Sequence, residues 1–87
     1  MTQRSELLKR ALANPGSLRF DELCMLARQL GFTHDRTRGS HFVFTTEDLR
    51  RPLCFQSCDG MAKRFQVRQL LDVARELGRI EEQEDAP

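Results

Sequence analysis

The chain has 87 residues, 39% of them hydrophobic, and its 14 basic and 13 acidic side chains give a formal net charge of +1. At this length folding buries only about 60–65% of the surface of the unfolded chain, so the sequence predicts one small domain and excludes a large cofactor-enclosing enzyme. No apolar run approaches the roughly 20 residues that cross a bilayer, and no signal-peptide pattern opens the chain. A cytoplasmic protein with no membrane partner is expected.

The charges are divided unevenly along the chain. Residues 1–78 contain 13 basic and 9 acidic side chains, or +4, whereas residues 79–87 contain one arginine and four acidic residues, or −3. A body of this charge attracts polyanions but lacks the dense basic stripe that alone indicates nucleic-acid binding. We predict one domain over residues 1–80 and an acidic, disordered tail over residues 81–87, which has no apolar face.

The cysteines are Cys24, Cys54 and Cys58, an odd number that cannot pair completely in disulfides. Free thiols in a reducing compartment are therefore expected. A zinc site would need to combine these thiols with His34 or His41, but the Cys54–Cys58 spacing is not the usual CxxC and no second pair exists. We predict no metal and no cofactor.

Two helices are predicted in the first third of the chain. The first runs from Ser5 to Ala13 with apolar residues at helical spacing, and it stops at Asn14-Pro15-Gly16 because a residue before proline disfavours the helical region. The second follows Phe20 with Asp21 as its capping residue, carries an apolar stripe and stops at Gly31.

The hydrophobic pattern changes to a strand period after the second helix. Residues 32–36 and 40–44 predict a β-hairpin around a three-residue connection, in which Gly39 takes a positive φ. We predict that Arg36 pairs with Ser40, which assigns the residues of the hairpin to two faces. The core face, marked by the phenylalanines, holds Phe32, His34, Arg36, Ser40, Phe42 and Phe44. The other face holds Thr33, Asp35, His41 and Val43.

The rest of the chain supplies a third strand and a third helix. Pro52–Gln56 is predicted to add an antiparallel strand, residues 57–62 form a turn, and an apolar stripe from Val67 to Leu77 predicts a helix that ends before Gly78. The predicted fold is α+β in the order α-α-β-β-β-α. A three-stranded antiparallel sheet has helices packed on one face, and its other face meets solvent with His41 on it.

The most distinctive local feature is the run from Arg36 to His41, which places an imidazole after a tight turn that also carries Arg38. Histidine accepts and returns protons near neutral pH, and arginine binds phosphate bidentately. This is the chemistry by which the 2′-hydroxyl of RNA attacks the adjacent phosphorus without a metal, whereas DNA lacks that nucleophile.

A solvated surface histidine is the alternative interpretation of His41. His34 is predicted to be a partly buried, hydrogen-bonded ring among the phenylalanines, although a register slip of one residue would exchange the two histidines between faces. Asp35 is predicted to lie opposite His41, where it either orients the imidazole or forms a surface ion pair with an arginine.

A second basic cluster opens the last helix and consists of Lys63, Arg64, Gln66 and Arg68. Free N–H groups and the helix dipole favour an anion there, so the cluster either binds backbone phosphate or is a solvated basic turn.

Five segments form a specific pattern when they are taken together: Ala13-Asn14-Pro15-Gly16, Arg19-Phe20-x-x-Leu23-Cys24, Leu30-Gly31-Phe32, Arg36-x-Arg38-Gly39-Ser40-His41-x-x-Phe44, and Gly60-x-Ala62-Lys63-x-Phe65-Gln66-Val67-Arg68-Gln69-Leu70-Leu71. Over about residues 5–78 this set resembles the HicA (YcfA-like) toxin family of toxin–antitoxin modules. The chain departs from the family pattern at residues 53–56 and at residues 63–65.

The resemblance implies a fold like that of the double-stranded-RNA-binding domain and a metal-independent mRNA-cleaving toxin that arrests translation as part of a stress response. It also implies that a HicB-like antitoxin covers the active site. By this similarity His41 is the catalytic residue, and Gly39 and Ser40 shape its turn. DNA is not an expected ligand of this chain alone.

The first hypothesis is therefore an endoribonuclease with His41 as general acid or base and with Arg36, Arg38, Gly39, Ser40, Lys63 and Arg68 as RNA contacts. A non-catalytic RNA-binding module of the same fold is the rival, and a purely protein-binding subunit is a third possibility.

Overall fold

The computed structural model describes residues 5–80, so the predicted disordered tail over residues 81–87 lies outside the described residues. Its elements follow the predicted order, and the α+β fold with one three-stranded antiparallel sheet is confirmed. These elements are α1 (Glu6–Ala13), a 3₁₀ turn (Pro15–Ser17), α2 (Phe20–Gln29), β1 (Thr33–Arg38), β2 (His41–Thr45), β3 (Leu53–Gln56) and α3 (Arg64–Glu76).

Local interactions explain where α1 and α2 begin. The Ser5 hydroxyl accepts a hydrogen bond from the Leu8 N–H at 3.0 Å and caps α1. Helix α2 is capped at Arg19, so Asp21 lies in its first turn rather than at the predicted cap. The Glu22 carboxylate instead reaches back to accept from the Arg19 N–H at 2.9 Å.

The hairpin between β1 and β2 is tighter than predicted. Arg38 pairs with His41, so the connection has two residues, Gly39 and Ser40, instead of three. Gly39 has the predicted positive φ of 62°, and glycine at the first position of a two-residue turn is typical of type II′ hairpins. The register shifts between His34 and Arg36, which marks a β-bulge in β1.

One apolar layer joins the sheet to the helices. Strands β2 and β3 contribute the fully buried rings of Phe44 and Phe55, and the rings of Phe20 in α2 and Phe42 form a T-shaped contact with centroids 5.0 Å apart. Burying such a side chain stabilises the fold by roughly 1.5–3 kcal/mol. The core also holds buried residues of all three helices, chiefly Leu8, Ala11, Leu23, Leu26, Val67 and Leu70.

Arg79 anchors the segment that follows α3. Its Nη1 donates to the Leu30 carbonyl oxygen at 2.7 Å, its Nη2 donates to Thr46 Oγ1 at 3.0 Å, and its guanidinium lies 5.7 Å from the centre of the Phe32 ring. These contacts tie the end of α3 to the end of α2 and to the end of β2. Across residues 5–80, no helix has the length and apolar character needed to span a membrane.

Candidate nucleic-acid interface

The side of the sheet that faces away from the apolar layer is the candidate site, and we call it the open face. Cross-strand partners share a face, so the register assigns to it Arg36, Arg38, His41, Val43, Cys54 and Gln56. Val43 and Gln56 are half-buried, and the other four side chains are exposed. Two guanidinium groups and one imidazole are therefore in contact with solvent on the same face.

His41 begins β2 and lies between two cross-strand neighbours. Arg38 is opposite it on β1, and Gln56 is opposite it on β3. The predicted pairing of Asp35 with His41 is wrong, because Asp35 lies at the bulge and its carboxylate forms an ion pair with Arg36 (Nε–Oδ2 3.2 Å). Asp35 is thus engaged three positions along β1 from Arg38, the residue that pairs with His41.

The predicted position of Arg36 is also wrong, and the bulge explains why. The sequence register placed Arg36 with the phenylalanines, whereas in the structure it lies opposite Val43 on the open face. A bulge adds one residue to a strand. The residues beyond it therefore face the opposite side of the sheet from the side that strict alternation predicts. Thr37 consequently takes the core-side position opposite Phe42.

His34 belongs to the core side of the sheet, as predicted. Its Nε2 is 2.8 Å from Thr37 Oγ1, and its ring stacks on Phe42 and tilts against Phe44 with centroids 5.5 and 5.2 Å away. The Thr37 hydroxyl and the two phenylalanine rings thus surround this imidazole, which is half-buried. His41 is left as the exposed imidazole of the open face.

Gln56 and Gln66 connect the open face to α3. The sequence predicted Gln66 as part of the phosphate-binding cluster at the start of this helix, and it indicated no role for Gln56. Gln66 is only 5% exposed. Its amide nitrogen donates to the Gln56 carbonyl oxygen (3.2 Å), and its amide oxygen accepts from the Gln56 N–H (3.0 Å). The side chain of Gln56 donates to Ser40 Oγ at 3.3 Å. A glutamine on the buried face of a helix, next to an edge strand, was the available signal.

Because of this connection, the first turn of α3 lies at the end of the sheet that holds His41. Lys63 is the N-terminal flanking residue of α3, makes no capping hydrogen bond through its side chain, and no acidic residue occurs in the first turn. Arg68 is exposed one turn further along. The structure therefore brings the two predicted basic clusters to the same end of the molecule, the end formed by the hairpin turn and by Gln56.

The cysteines are free thiols, with Cys24 buried and Cys54 and Cys58 exposed. Burial raises the pKa of Cys24, so this thiol stays protonated at neutral pH. Cys54 lies on the open face opposite Val43. Within residues 5–80, no three His, Cys, Asp or Glu side chains come together in a group able to hold a metal ion.

Comparisons of the chain with protein-family models, with curated proteins and with solved structures found no match. The resemblance to the HicA family is therefore a hypothesis carried by the sequence motifs.

Proposed function

We propose that the chain is a metal-independent endoribonuclease, the toxin of a toxin–antitoxin pair, with His41 as its general base and acid. The imidazole takes the proton of a ribose 2′-hydroxyl, the 2′-oxygen bonds to the adjacent phosphorus, and the bond from phosphorus to the 5′-oxygen breaks. The imidazolium then returns the proton to the leaving oxygen. The products are a 2′,3′-cyclic phosphate and a 5′-hydroxyl.

The observation that carries this proposal is the exposed imidazole of His41 beside a guanidinium on the open face. Arg38 lies directly opposite it, and Arg36 follows on the same face of β1. Guanidinium groups bind phosphate oxygens bidentately and stabilise the charge that develops on phosphorus. Gly39 and Ser40 form the turn beside the imidazole, and the space next to Gly39 is open.

Lys63 and Arg68 are proposed to bind phosphates next to the reacting one. Both lie on the first turns of α3, which Gln66 holds against the strand that neighbours His41. Cations and free backbone N–H groups at this helix end favour an anion. An RNA strand that contacts both clusters lies across the end of the sheet.

RNA binding without cleavage is the second candidate function, and one feature of the site favours it. In residues 5–80 no side chain makes a hydrogen bond to the ring of His41, whereas general bases are usually oriented by a further group. The same arginines and lysine would still bind RNA in a salt-dependent way.

Incubation of the purified chain with RNA in the presence of EDTA separates the two candidates. The wild-type chain should release fragments with 2′,3′-cyclic phosphate ends and leave DNA intact, and His41→Ala should abolish cleavage while RNA binding persists. His34→Gln is the matched control, since it removes the other imidazole but keeps a group that reaches Thr37. Intact RNA with the wild-type chain, together with salt-sensitive binding, would rule out the nuclease and support the binding module.

An acidic, HicB-like antitoxin is proposed to cover the open face, because a polyanion-binding surface attracts opposite charge. An adjacent open reading frame for such a protein would support this pairing. A complex that forms equally well after Arg36, Arg38 and His41 are all replaced by alanine would contradict it. Three free thiols are consistent with the proposed cytoplasmic location.

A further inference from the structure

Phe65 is the most exposed large apolar side chain among residues 5–80, with 63% of its surface in contact with solvent. It lies in the first turn of α3, next to the buried Gln66 and away from the apolar stripe that packs on the core. Met25 on α2 is also exposed, at 52%, so exposure alone does not distinguish Phe65. The charged groups around the ring distinguish Phe65 from Met25.

The surroundings of Phe65 are cationic. Lys63 Nζ lies 5.9 Å from the centre of the ring, Arg64 is the preceding residue, and Arg68 follows three positions later on the same side of the helix. Arg64 and Arg68 are both exposed, and the first turn contains no acidic residue. An accessible aromatic ring flanked by cations is the combination with which proteins bind single-stranded nucleic acids, because bases stack on the ring while phosphates meet the cations.

We propose that Phe65 is a stacking platform for an unpaired base of single-stranded RNA, with Lys63 and Arg68 bound to the flanking phosphates. The proposal rests on RNA being the ligand of the open face. In an RNA duplex each base already stacks on its neighbours and its faces are inaccessible, so a platform of this kind selects unpaired strands. Phe65 is then a positioning residue, since it contacts the substrate away from the reacting atoms.

The position of Phe65 links this platform to His41. The next residue, Gln66, binds the backbone of Gln56, and Gln56 is the cross-strand neighbour of His41. A base stacked on Phe65 is therefore held at the same end of the sheet as the imidazole. Fixing one nucleotide at this point limits which neighbouring phosphodiester reaches His41, as orientation effects require.

The chain contains no tryptophan and no tyrosine, so Phe65→Trp introduces a single fluorescent reporter at the platform. The ligand is a short, unstructured RNA with 2′-O-methyl ribose, which cannot be cleaved, and its duplex with a complementary strand is the comparison. We expect the single strand to quench the tryptophan emission of Phe65→Trp and the duplex to leave it unchanged. In the otherwise wild-type chain, Phe65→Ala should weaken single-strand binding about tenfold or more.

Met25→Ala is the matched control, because it shortens an exposed apolar side chain on another helix, and its affinity for the single strand should equal that of the wild-type chain. Far-UV circular dichroism and thermal unfolding verify that both variants are folded. Equal single-strand affinities for Phe65→Ala and the wild-type chain would overturn the proposal, as would equal losses of single-strand and duplex binding. An exposed ring that serves only as a protein-docking residue would give the first of these results.

Cleavage of unmodified RNA is measured separately, so the two proposals fail independently. If the wild-type chain and Phe65→Ala cleave and bind single strands alike, the stacking platform is wrong and the nuclease stands. If the wild-type chain does not cleave but Phe65→Ala loses single-strand affinity, the platform stands and the nuclease is wrong.

Discussion

Replacing Gln66 by leucine is expected to destabilise the fold through the contact that joins α3 to the sheet. The Gln66 amide makes both of its hydrogen bonds to the backbone of Gln56, at 3.2 and 3.0 Å, in a position that is only 5% exposed. Leucine has a similar volume and favours the helix equally well, so the substitution removes the two hydrogen bonds and little else.

The size of the effect follows from those two bonds. Each contributes about 0.5–1.5 kcal/mol net, so their loss costs about 1–3 kcal/mol, and the Gln56 N–H and carbonyl groups lose their partner. A domain of this length has a total stability of about 4–13 kcal/mol, so the loss is a substantial fraction of it. With a urea m-value of about 1 kcal/mol/M, the unfolding midpoint should fall by about 1–3 M.

Urea unfolding followed by far-UV circular dichroism measures this shift. Gln69→Leu is the matched control, because Gln69 is exposed on the same helix and its substitution should change stability by less than about 0.5 kcal/mol. Equal unfolding midpoints for Gln66→Leu and Gln69→Leu would refute the assignment of Gln66 as the link between α3 and β3.

Two further predictions concern side chains outside the open face. Arg79→Met should lower the free energy of unfolding by about 2–4 kcal/mol, because it removes the guanidinium bonds to the Leu30 carbonyl and Thr46, and an unchanged urea midpoint would contradict this anchor. The pKa of Glu22 is lowered, chiefly by the hydrogen bond from Arg10 and then by the backbone N–H at the start of α2. Its carboxylate therefore stabilises the fold above the ordinary glutamate pKa of about 4.3, and this contribution is lost as the pH falls through the lower folded-state pKa. Glu22→Gln should be less stable than the wild-type chain at pH 7, and the gap should close in acid; a gap that stays constant with pH would show that Glu22 does not act through its charge.

Much of the fold could be predicted from the local sequence pattern. Helical spacing of apolar residues located the three helices, and glycines at 31 and 78 adopt the positive φ expected just beyond α2 and α3. The alternation of Phe42 and Phe44 placed these rings on the core side and His41 on the opposite side. Burial of one sheet face imposes this result, since a slip of one residue would move every phenylalanine into water.

The candidate site could be predicted from the sequence only in part. The sequence identified His41 and Arg38 as near neighbours, but it paired Asp35 with His41 and put Arg36 on the core side. Both errors come from the bulge in β1 and from the two-residue turn, which together decide the register. A bulge depends on how two strands pair with each other. The local composition of one strand therefore does not predict it.

The sequence by itself determined the order of the elements, the buried rings and the exposure of His41, because hydrophobic burial acts on periodic patterns that can be counted along the chain. Only the tertiary structure decided that Arg36 joins His41 on the open face and that the α3 cations lie at the same end of the sheet. These placements depend on cross-strand register and on the hydrogen bonds between Gln66 and Gln56, which join segments distant in sequence.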